Sequence, residues 1–222
     1  MIKPIEEVQN TWKIVSSNFN SVLEMRAILC NESASQKRTL VRHFRGLNFA
    51  NVEALRATFE EEALQLNSIG YNIYVVMNPI RPDFDGAAVR DSDITHRNVM
   101  LIDIDRAYDT KNPATDEEVE KAKRVSDSIF EFLSEFNFAD PIRVMSGNGH
   151  HLYYPLDNVE NNEEAKDVIK NTLTCLNKMF GNPEIKIDTN VFNASRITKV
   201  LGTVARKGIA SADRPYRIAV MK

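Results

Sequence analysis

The stretch Asn98-Val99-Met100-Leu101-Ile102-Asp103-Ile104-Asp105 decides the fold, because a run of branched apolar residues carries two aspartates at alternating positions. Successive side chains of a β-strand point to opposite faces, so Asp103 and Asp105 share one face while Ile102 and Ile104 share the other. We therefore predict a strand with one face in a core and one acidic face. Two such carboxylates, about 7 Å apart at their Cα atoms, can converge on a divalent cation.

A D-x-D pattern is short and recurs in many enzymes, so an acidic, solvent-exposed strand explains the pair equally well. Without a cation or a basic partner, however, the two carboxylates would repel each other. The flanking sequence has to decide between these interpretations.

Strands and helices surround this segment, with no internal repeat and no linker, which predicts one compact unit over residues 1–222. A helix near Thr115 has that residue as its N-cap, and a later helix ends at Gly181. The predicted elements are helices over Ile5–Val15, Val52–Gly70, Thr115–Phe136 and Glu163–Phe180, and strands over Ser21–Leu29, Tyr71–Met77, Asn98–Asp105, Ile142–Met145, His151–Tyr154, Ile185–Asp188 and Tyr216–Val220.

The composition is that of a globular protein, with 43% hydrophobic and 27% charged residues in 222. No apolar run is long enough to span a bilayer, and two cysteines, Cys30 and Cys175, form neither a disulfide framework nor a zinc site. We expect a cytoplasmic protein. The net charge of −3 argues against a generally basic DNA-binding surface, but the last third is rich in Lys and Arg and can line one basic channel.

A second motif, Arg143-Val144-Met145-Ser146-Gly147-Asn148-Gly149-His150-His151, follows the acidic strand. The small residues Ser146, Gly147, Asn148 and Gly149 allow backbone N–H groups to approach a phosphate, and a histidine just past the turn can donate to a polyphosphate oxygen. Adjacent strand residues face opposite ways, so we expect one functional and one structural or exposed histidine. The alternative is an ordinary Asn-Gly hairpin.

A third motif begins with Asp188 at the end of a short apolar strand and continues into a basic stretch with Arg196 and Lys199. Spaced three apart, these two cations would share a helix or turn face and could neutralise a triphosphate or a template backbone. A solvated basic turn after a strand-end aspartate explains each residue equally well.

The order of the three motifs resembles that of the archaeo-eukaryotic primase superfamily, in particular the phage, plasmid and CRISPR-associated primase-polymerases. By this resemblance Asp103 and Asp105 correspond to the acids of motif I, Ser146 and His151 to the phosphate-contacting pair of motif II, and Asp188 to the acid of motif III. The Gly70–Pro79 segment is similar to a strand of the same proteins. Two departures are Leu201, where many relatives have proline, and the missing cysteine-rich zinc knob.

The resemblance implies an α+β catalytic core with two lobes, divided near residue 97, and an RNA-recognition-motif-like palm sheet over residues 98–222. The active site should lie in the cleft between the lobes. The implied activity is template-dependent synthesis by a DNA primase or polymerase, with two Mg²⁺ or Mn²⁺ ions held by Asp103, Asp105 and Asp188. Ser146 and His151 would grip the triphosphate, with added charge from the three cations Arg143, Arg196 and Lys199.

The implied partners are an NTP or dNTP, a single-stranded DNA template and a primer-template, with no membrane. An accessory domain or protein partner outside this chain is also expected. Three other classes use similar parts: a D-x-D sugar-nucleotide transferase, a two-metal nuclease, and a non-catalytic replication-initiation module that binds DNA.

Overall fold

The computed structural model describes residues 3–15, 22–29 and 38–222 of the chain. The helices in this part are α1 (Pro4–Asn10), α2 (Val52–Ser68), α3 (Asp116–Glu135) and α4 (Glu163–Phe180). The strands are β1 (Val22–Leu29), β2 (Arg38–Arg45), β3 (Tyr71–Val76), β4 (His96–Arg106), β5 (Ile142–Met145), β6 (His150–Glu160), β7 (Ile185–Ile187), β8 (Ile197–Lys199), β9 (Val204–Ala205), β10 (Arg217–Ile218) and β11 (Val220–Met221). No helix among these is both long and apolar enough to cross a membrane.

The long helices begin and end at the residues that local chemistry favours. The Thr115 side chain accepts a hydrogen bond from the backbone N–H of Glu118, and the Glu118 side chain caps Thr115 in return, so α3 starts as predicted. In α4, the Asn162 side chain caps the N-terminus and Gly181 follows the last turn, which confirms both predicted ends.

The first sheet is fully antiparallel, with the order β2-β1-β3-β8. Leu23, Met25 and Ala27 alternate along β1 into a buried cluster with Phe59 of α2, as the period-2 geometry of a strand requires. Strand β2 has no counterpart among the predicted elements. Its basic side chains hide the period-2 pattern, and its strand form comes from pairing with β1 along all eight residues.

The second sheet has the order β11-β5-β6-β4-β7 and carries the acidic strand β4 near its centre. The chain order β4-α3-β5-β6-α4-β7 is the βαββαβ arrangement of RNA-recognition-motif-like folds, which confirms the predicted palm sheet. Ile102 and Ile104 are fully buried in the largest core cluster with Leu152 of β6, Ile129 of α3 and Leu173 of α4. Helices α3 and α4 therefore cover one face of this sheet and leave the aspartate face for the cleft.

The predicted division at residue 97 is crossed by the chain, because β8 returns from the C-terminal part and pairs with β3 of the first sheet. The prediction that Arg196 and Lys199 share a helix or turn face is wrong, since Lys199 lies in β8 opposite Tyr74.

The segment that follows β8 is held against the first sheet by the side chain of Asn72. Asn72 accepts a hydrogen bond from the backbone N–H of Arg206 and donates one to its carbonyl oxygen, each at 2.7 Å. A cleft forms between the sheets, with residues 205–207 along its side.

Candidate active site

Asp103 and Asp105 project from β4 into the cleft between the two sheets. Their strand neighbours fix their surroundings: Asp103 lies opposite His151 of β6, and Asp105 lies opposite Lys186 of β7. The cleft has a volume of about 610 Å³, within the range of small-molecule sites.

The two carboxylates are electrostatically unlike. Burial raises the pKa of Asp105, and the negative charge of Asp103 raises it further, against a smaller opposing effect of Lys207. Burial also acts to raise the pKa of Asp103, but nearby basic side chains, His151 foremost, hold it below its ordinary value. Two close acids whose pKa values are shifted in opposite directions are typical of functional sites.

The turn over residues 146–149 fits tightly between β4 and the C-terminal segment. Gly147 has a φ of +108°, and a Cβ there would collide with Ala205. A Cβ on Gly149 would collide with the carbonyl oxygen of Ile104, beside Asp105. Ser146 and Asn148 line the cleft, whereas the two glycines serve the close approach of the turn to the acidic strand.

The two adjacent histidines face opposite sides of the second sheet, as strand geometry predicts. His151 lies in the cleft with Nε2 3.3 Å from Asp103 Oδ1 and Nδ1 2.7 Å from the Tyr153 hydroxyl. His150 is buried beyond the other face, where burial and then the charge of His151 lower its pKa to about 4. His150 is therefore a neutral, structural side chain at physiological pH.

Asp188 follows β7 and is tied to the acidic strand through its backbone N–H, which donates to the carbonyl oxygen of Asp103 at 2.8 Å. Its side chain does not line the cleft cavity. One carboxylate oxygen accepts from the backbone N–H of Asn190, and the other lies 3.9 Å from Arg196 Nη2. The structure thus places Asp188 beside the pair with its carboxylate directed to neighbours of its own.

Four basic side chains from the last third of the chain line the cleft: Arg196, Lys199, Arg206 and Lys207. Lys207 Nζ lies 3.5 Å from Asp105 Oδ2, and Lys199 donates to the carbonyl oxygen of Val204. Arg196 Nε and Arg206 Nη1 are buried without a hydrogen-bond partner among the described residues. Arg196 and Arg206 both line the cleft, and a guanidinium group is a donor suited to an anionic ligand.

Arg206 and Lys207 were not singled out from the sequence, where only the density of basic residues in the last third pointed to them. They lie about a hundred residues from Asp105 in the sequence. Asn72 holds Arg206 against the first sheet, and the next residue, Lys207, approaches Asp105. Tyr74 of β3 also lines the cleft, with its ring centroid 5.5 Å from Lys199 Nζ.

Arg143 does not line the cleft, so the expectation that it adds charge at the triphosphate together with Arg196 and Lys199 is wrong. In the sheet register it lies opposite Leu152, on the face that α3 and α4 cover. Its guanidinium pairs with Asp127 of α3 and lies over the ring of Phe130. Arg143 neutralises a helix carboxylate there, away from the aspartate face.

No protein-family model matches the chain, and no curated protein matches it in sequence. Solved structures do match. The AEP domain of the cyanophage S-2L primase-polymerase superposes with a TM-score of 0.55 over 98% of this chain and 88% of its own, at 12% identity. The polymerase domain of Mycobacterium tuberculosis Ligase D, solved in complex with DNA, gives 0.50 over 96% and 79%, at 12% identity.

These likenesses show a shared fold. The chain has the mixed α/β fold of that AEP domain and that polymerase domain, as the resemblance in motif order implied.

Proposed function

We propose that this chain is the catalytic domain of a template-dependent nucleotidyltransferase, a primase or primer-extending polymerase that uses NTPs or dNTPs. One observation carries the proposal: a single cleft brings together three distant parts of the sequence. These are the aspartate pair, the glycine turn with its histidine, and a C-terminal segment with four basic side chains. The shared fold with two polymerase domains supports it.

The donor set fits hard divalent cations. Asp103 and Asp105 offer carboxylate oxygens on one face of one strand, and Asp188 stands next to them through its backbone bond to Asp103. Within residues 3–15, 22–29 and 38–222, no three His, Cys, Asp or Glu side chains form a metal site by themselves. Mg²⁺ and Mn²⁺ are commonly held by one or two carboxylates together with substrate phosphates, so Asp103 and Asp105 would hold them together with a bound nucleotide. Asp103, Asp105 and Asp188 would hold two such ions, and when bound these would supply activation of a 3′-hydroxyl and charge stabilisation of the leaving pyrophosphate.

The residues around the acids suit a triphosphate. Ser146 and His151 supply donors on the side of the turn, and Arg196, Lys199 and Lys207 supply positive charge on the side of the C-terminal segment. These side chains would bind and orient the β- and γ-phosphates, so that the α-phosphate faces the 3′-hydroxyl of a primer or of a first nucleotide.

Single-stranded DNA would serve as template, with its backbone following the basic wall of the cleft. The overall charge is slightly negative, so DNA binding would depend on this local wall and weaken as salt rises. An accessory domain or a partner protein would assist initiation.

The test is synthesis on primed and unprimed single-stranded DNA, with labelled NTPs or dNTPs and Mg²⁺ or Mn²⁺. The double variant Asp103→Asn/Asp105→Asn runs beside the wild type, and Asp157→Asn, an exposed acid at the far end of β6, serves as control. We expect template-dependent products from wild type and control and none from the double variant. Products from the double variant would refute the proposed role of the pair.

The other classes give different results in the same experiment. Release of sugar from a sugar nucleotide, without template dependence, would identify a glycosyltransferase. Shortened DNA ends without synthesis would identify a nuclease, and salt-dependent DNA binding without metal-dependent turnover would identify a binding module.

A further inference from the structure

A buried chain of hydroxyl groups links the two sheets behind His151. The Tyr153 hydroxyl lies 2.7 Å from His151 Nδ1 and 2.5 Å from Thr198 Oγ1. His151 and Tyr153 belong to β6 of the second sheet, whereas Thr198 belongs to β8 of the first. All three side chains are buried, and only the far nitrogen of His151 approaches an acid of the cleft.

The contact between His151 and Asp103 sets the direction of these hydrogen bonds. When the His151 ring is neutral and Asp103 is ionised, Nε2 faces an oxygen that only accepts hydrogen bonds, so Nε2 carries the ring hydrogen and Nδ1, 2.7 Å from the Tyr153 hydroxyl, accepts. Tyr153 has one hydrogen to give, and burial raises its pKa well above the ordinary value, which keeps that hydrogen in place. Thr198 must then donate to the Tyr153 oxygen. The donors run in one direction, from Thr198 through Tyr153 and His151 toward Asp103.

We propose that Tyr153 and Thr198 are positioning residues, which hold the His151 ring with its Nε2–H directed into the cleft as a donor for a phosphate oxygen. The inference rests on the proposed function for the identity of the ligand. Because the hydrogen bonds from His151 through Tyr153 to Thr198 cross from one sheet to the other, the orientation of His151 depends on how β8 packs against β6. Loss of either hydroxyl leaves Nδ1 without an ordered donor and lets the ring turn or change tautomer.

A neighbouring tyrosine shows that a buried hydroxyl alone does not explain this arrangement. Tyr154, on the opposite face of β6, is equally buried, yet its hydroxyl has no hydrogen-bond partner among the described residues. The fold therefore tolerates an unpaired tyrosine hydroxyl in this strand. Tyr154→Phe is consequently a matched control for Tyr153→Phe, since each change removes one buried oxygen from adjacent residues.

The first measurement is the affinity for ATP and for dATP, titrated separately with Mg²⁺. Tyr153→Phe and Thr198→Val should each weaken binding, Tyr153→Phe by about tenfold. Tyr154→Phe should match the wild type, and Thr198→Ser, which keeps the hydroxyl, should restore affinity. Circular dichroism with thermal unfolding confirms that every variant is folded.

A double-mutant cycle with His151→Ala separates positioning from a general structural effect. If Tyr153 acts through His151, then Tyr153→Phe costs affinity in the wild-type background and nothing further in the His151→Ala background. An equal loss in both backgrounds, or a Tyr153→Phe protein that binds like Tyr154→Phe, overturns the proposal.

A second readout does not need a nucleotide. In protein with ¹⁵N-labelled histidine, the ring signals of His151 should indicate an Nε2–H tautomer with a hydrogen-bonded Nδ1. They should shift or broaden in Tyr153→Phe and Thr198→Val, and stay unchanged in Tyr154→Phe and Thr198→Ser. Unchanged His151 signals in Tyr153→Phe overturn the proposal. If the wild type binds no nucleotide, the proposed function fails and these spectra alone decide whether the positioning holds.

Discussion

The acids on interior strands of the two sheets have opposite surroundings: Glu24 in the first sheet is buried, and Asp103 and Asp105 in the second are half-buried. Glu24 of β1 is fully buried, and its oxygens meet Arg26 Nε at 2.6 Å, His43 Nε2 at 2.9 Å and the backbone N–H of Val89 at 2.7 Å. Asp103 and Asp105 of β4 meet their basic partners only at 3.3 and 3.5 Å, beyond good hydrogen-bond length.

The difference indicates that Glu24 stabilises the fold, whereas Asp103 and Asp105 can still bind a ligand. Glu24 ties β2 and the loop before β4 to the first sheet, so both of its oxygens are occupied. The aspartate pair keeps acceptor capacity facing a cleft, at an electrostatic cost that shows in the raised pKa of Asp105. Stability should therefore depend on Glu24, and activity on the aspartates.

The largest expected effect is on synthesis by Asp103→Asn or Asp105→Asn. Each change removes a charged oxygen ligand, and losing several kcal/mol of transition-state stabilisation lowers the rate by about 10³-fold. Primer extension with saturating nucleotide measures it, and urea unfolding checks that each variant folds. A variant that keeps a tenth of the wild-type rate would contradict the catalytic role of the aspartate pair.

Glu24→Ala should act on the fold instead. Removing Glu24 from this buried ion pair leaves Arg26 Nε and the N–H of Val89 without their acceptor and costs about 3 kcal/mol of unfolding free energy. Urea denaturation measures the loss, with Glu131→Ala, an exposed acid on α3, as control. Equal stability of the two variants would contradict the structural role of Glu24.

Lys207→Met should have a smaller effect, confined to the ligand. The change keeps the apolar stem of the side chain but removes the ammonium beside Asp105, so we expect about tenfold weaker nucleotide binding with little loss of stability. Isothermal titration calorimetry tests this against Lys178→Met, which alters an exposed lysine at the end of α4. Similar affinities in both variants would exclude Lys207 from the phosphate site.

The smallest expected effect is the pH dependence of stability in Asp105→Asn. The pKa of Asp105 is raised in the folded state, so the folded protein holds this proton more tightly than the unfolded chain. Stability from this group therefore falls as pH rises from the ordinary Asp pKa through the raised one. The variant lacks this loss. In chelator-containing buffer it should be slightly more stable than wild type at neutral pH, with the gap closing in acid; a gap that does not change with pH would contradict it.

Much of the fold was predictable because its signals are local. The period-2 alternation around Asp103 predicted β4 and the face of each side chain, and the caps at Thr115 and Gly181 predicted the ends of two helices. The strand β2 was missed, since its pairing with β1 and not its composition makes it a strand. The catalytic roles of the candidate residues stay predictions.

The sequence by itself determined the acidic strand, the opposite facing of the two adjacent histidines and the helices beneath the strand, because these depend on the repeat of a strand or helix over a few residues. Only the tertiary structure decided that Lys207 reaches Asp105, that Thr198 reaches Tyr153, and that Arg143 faces away from the cleft. These outcomes depend on sheet register and on the return of β8 to the first sheet, which join residues far apart in the chain. No local pattern encodes such pairings, because the free energy that selects them comes from packing the whole core.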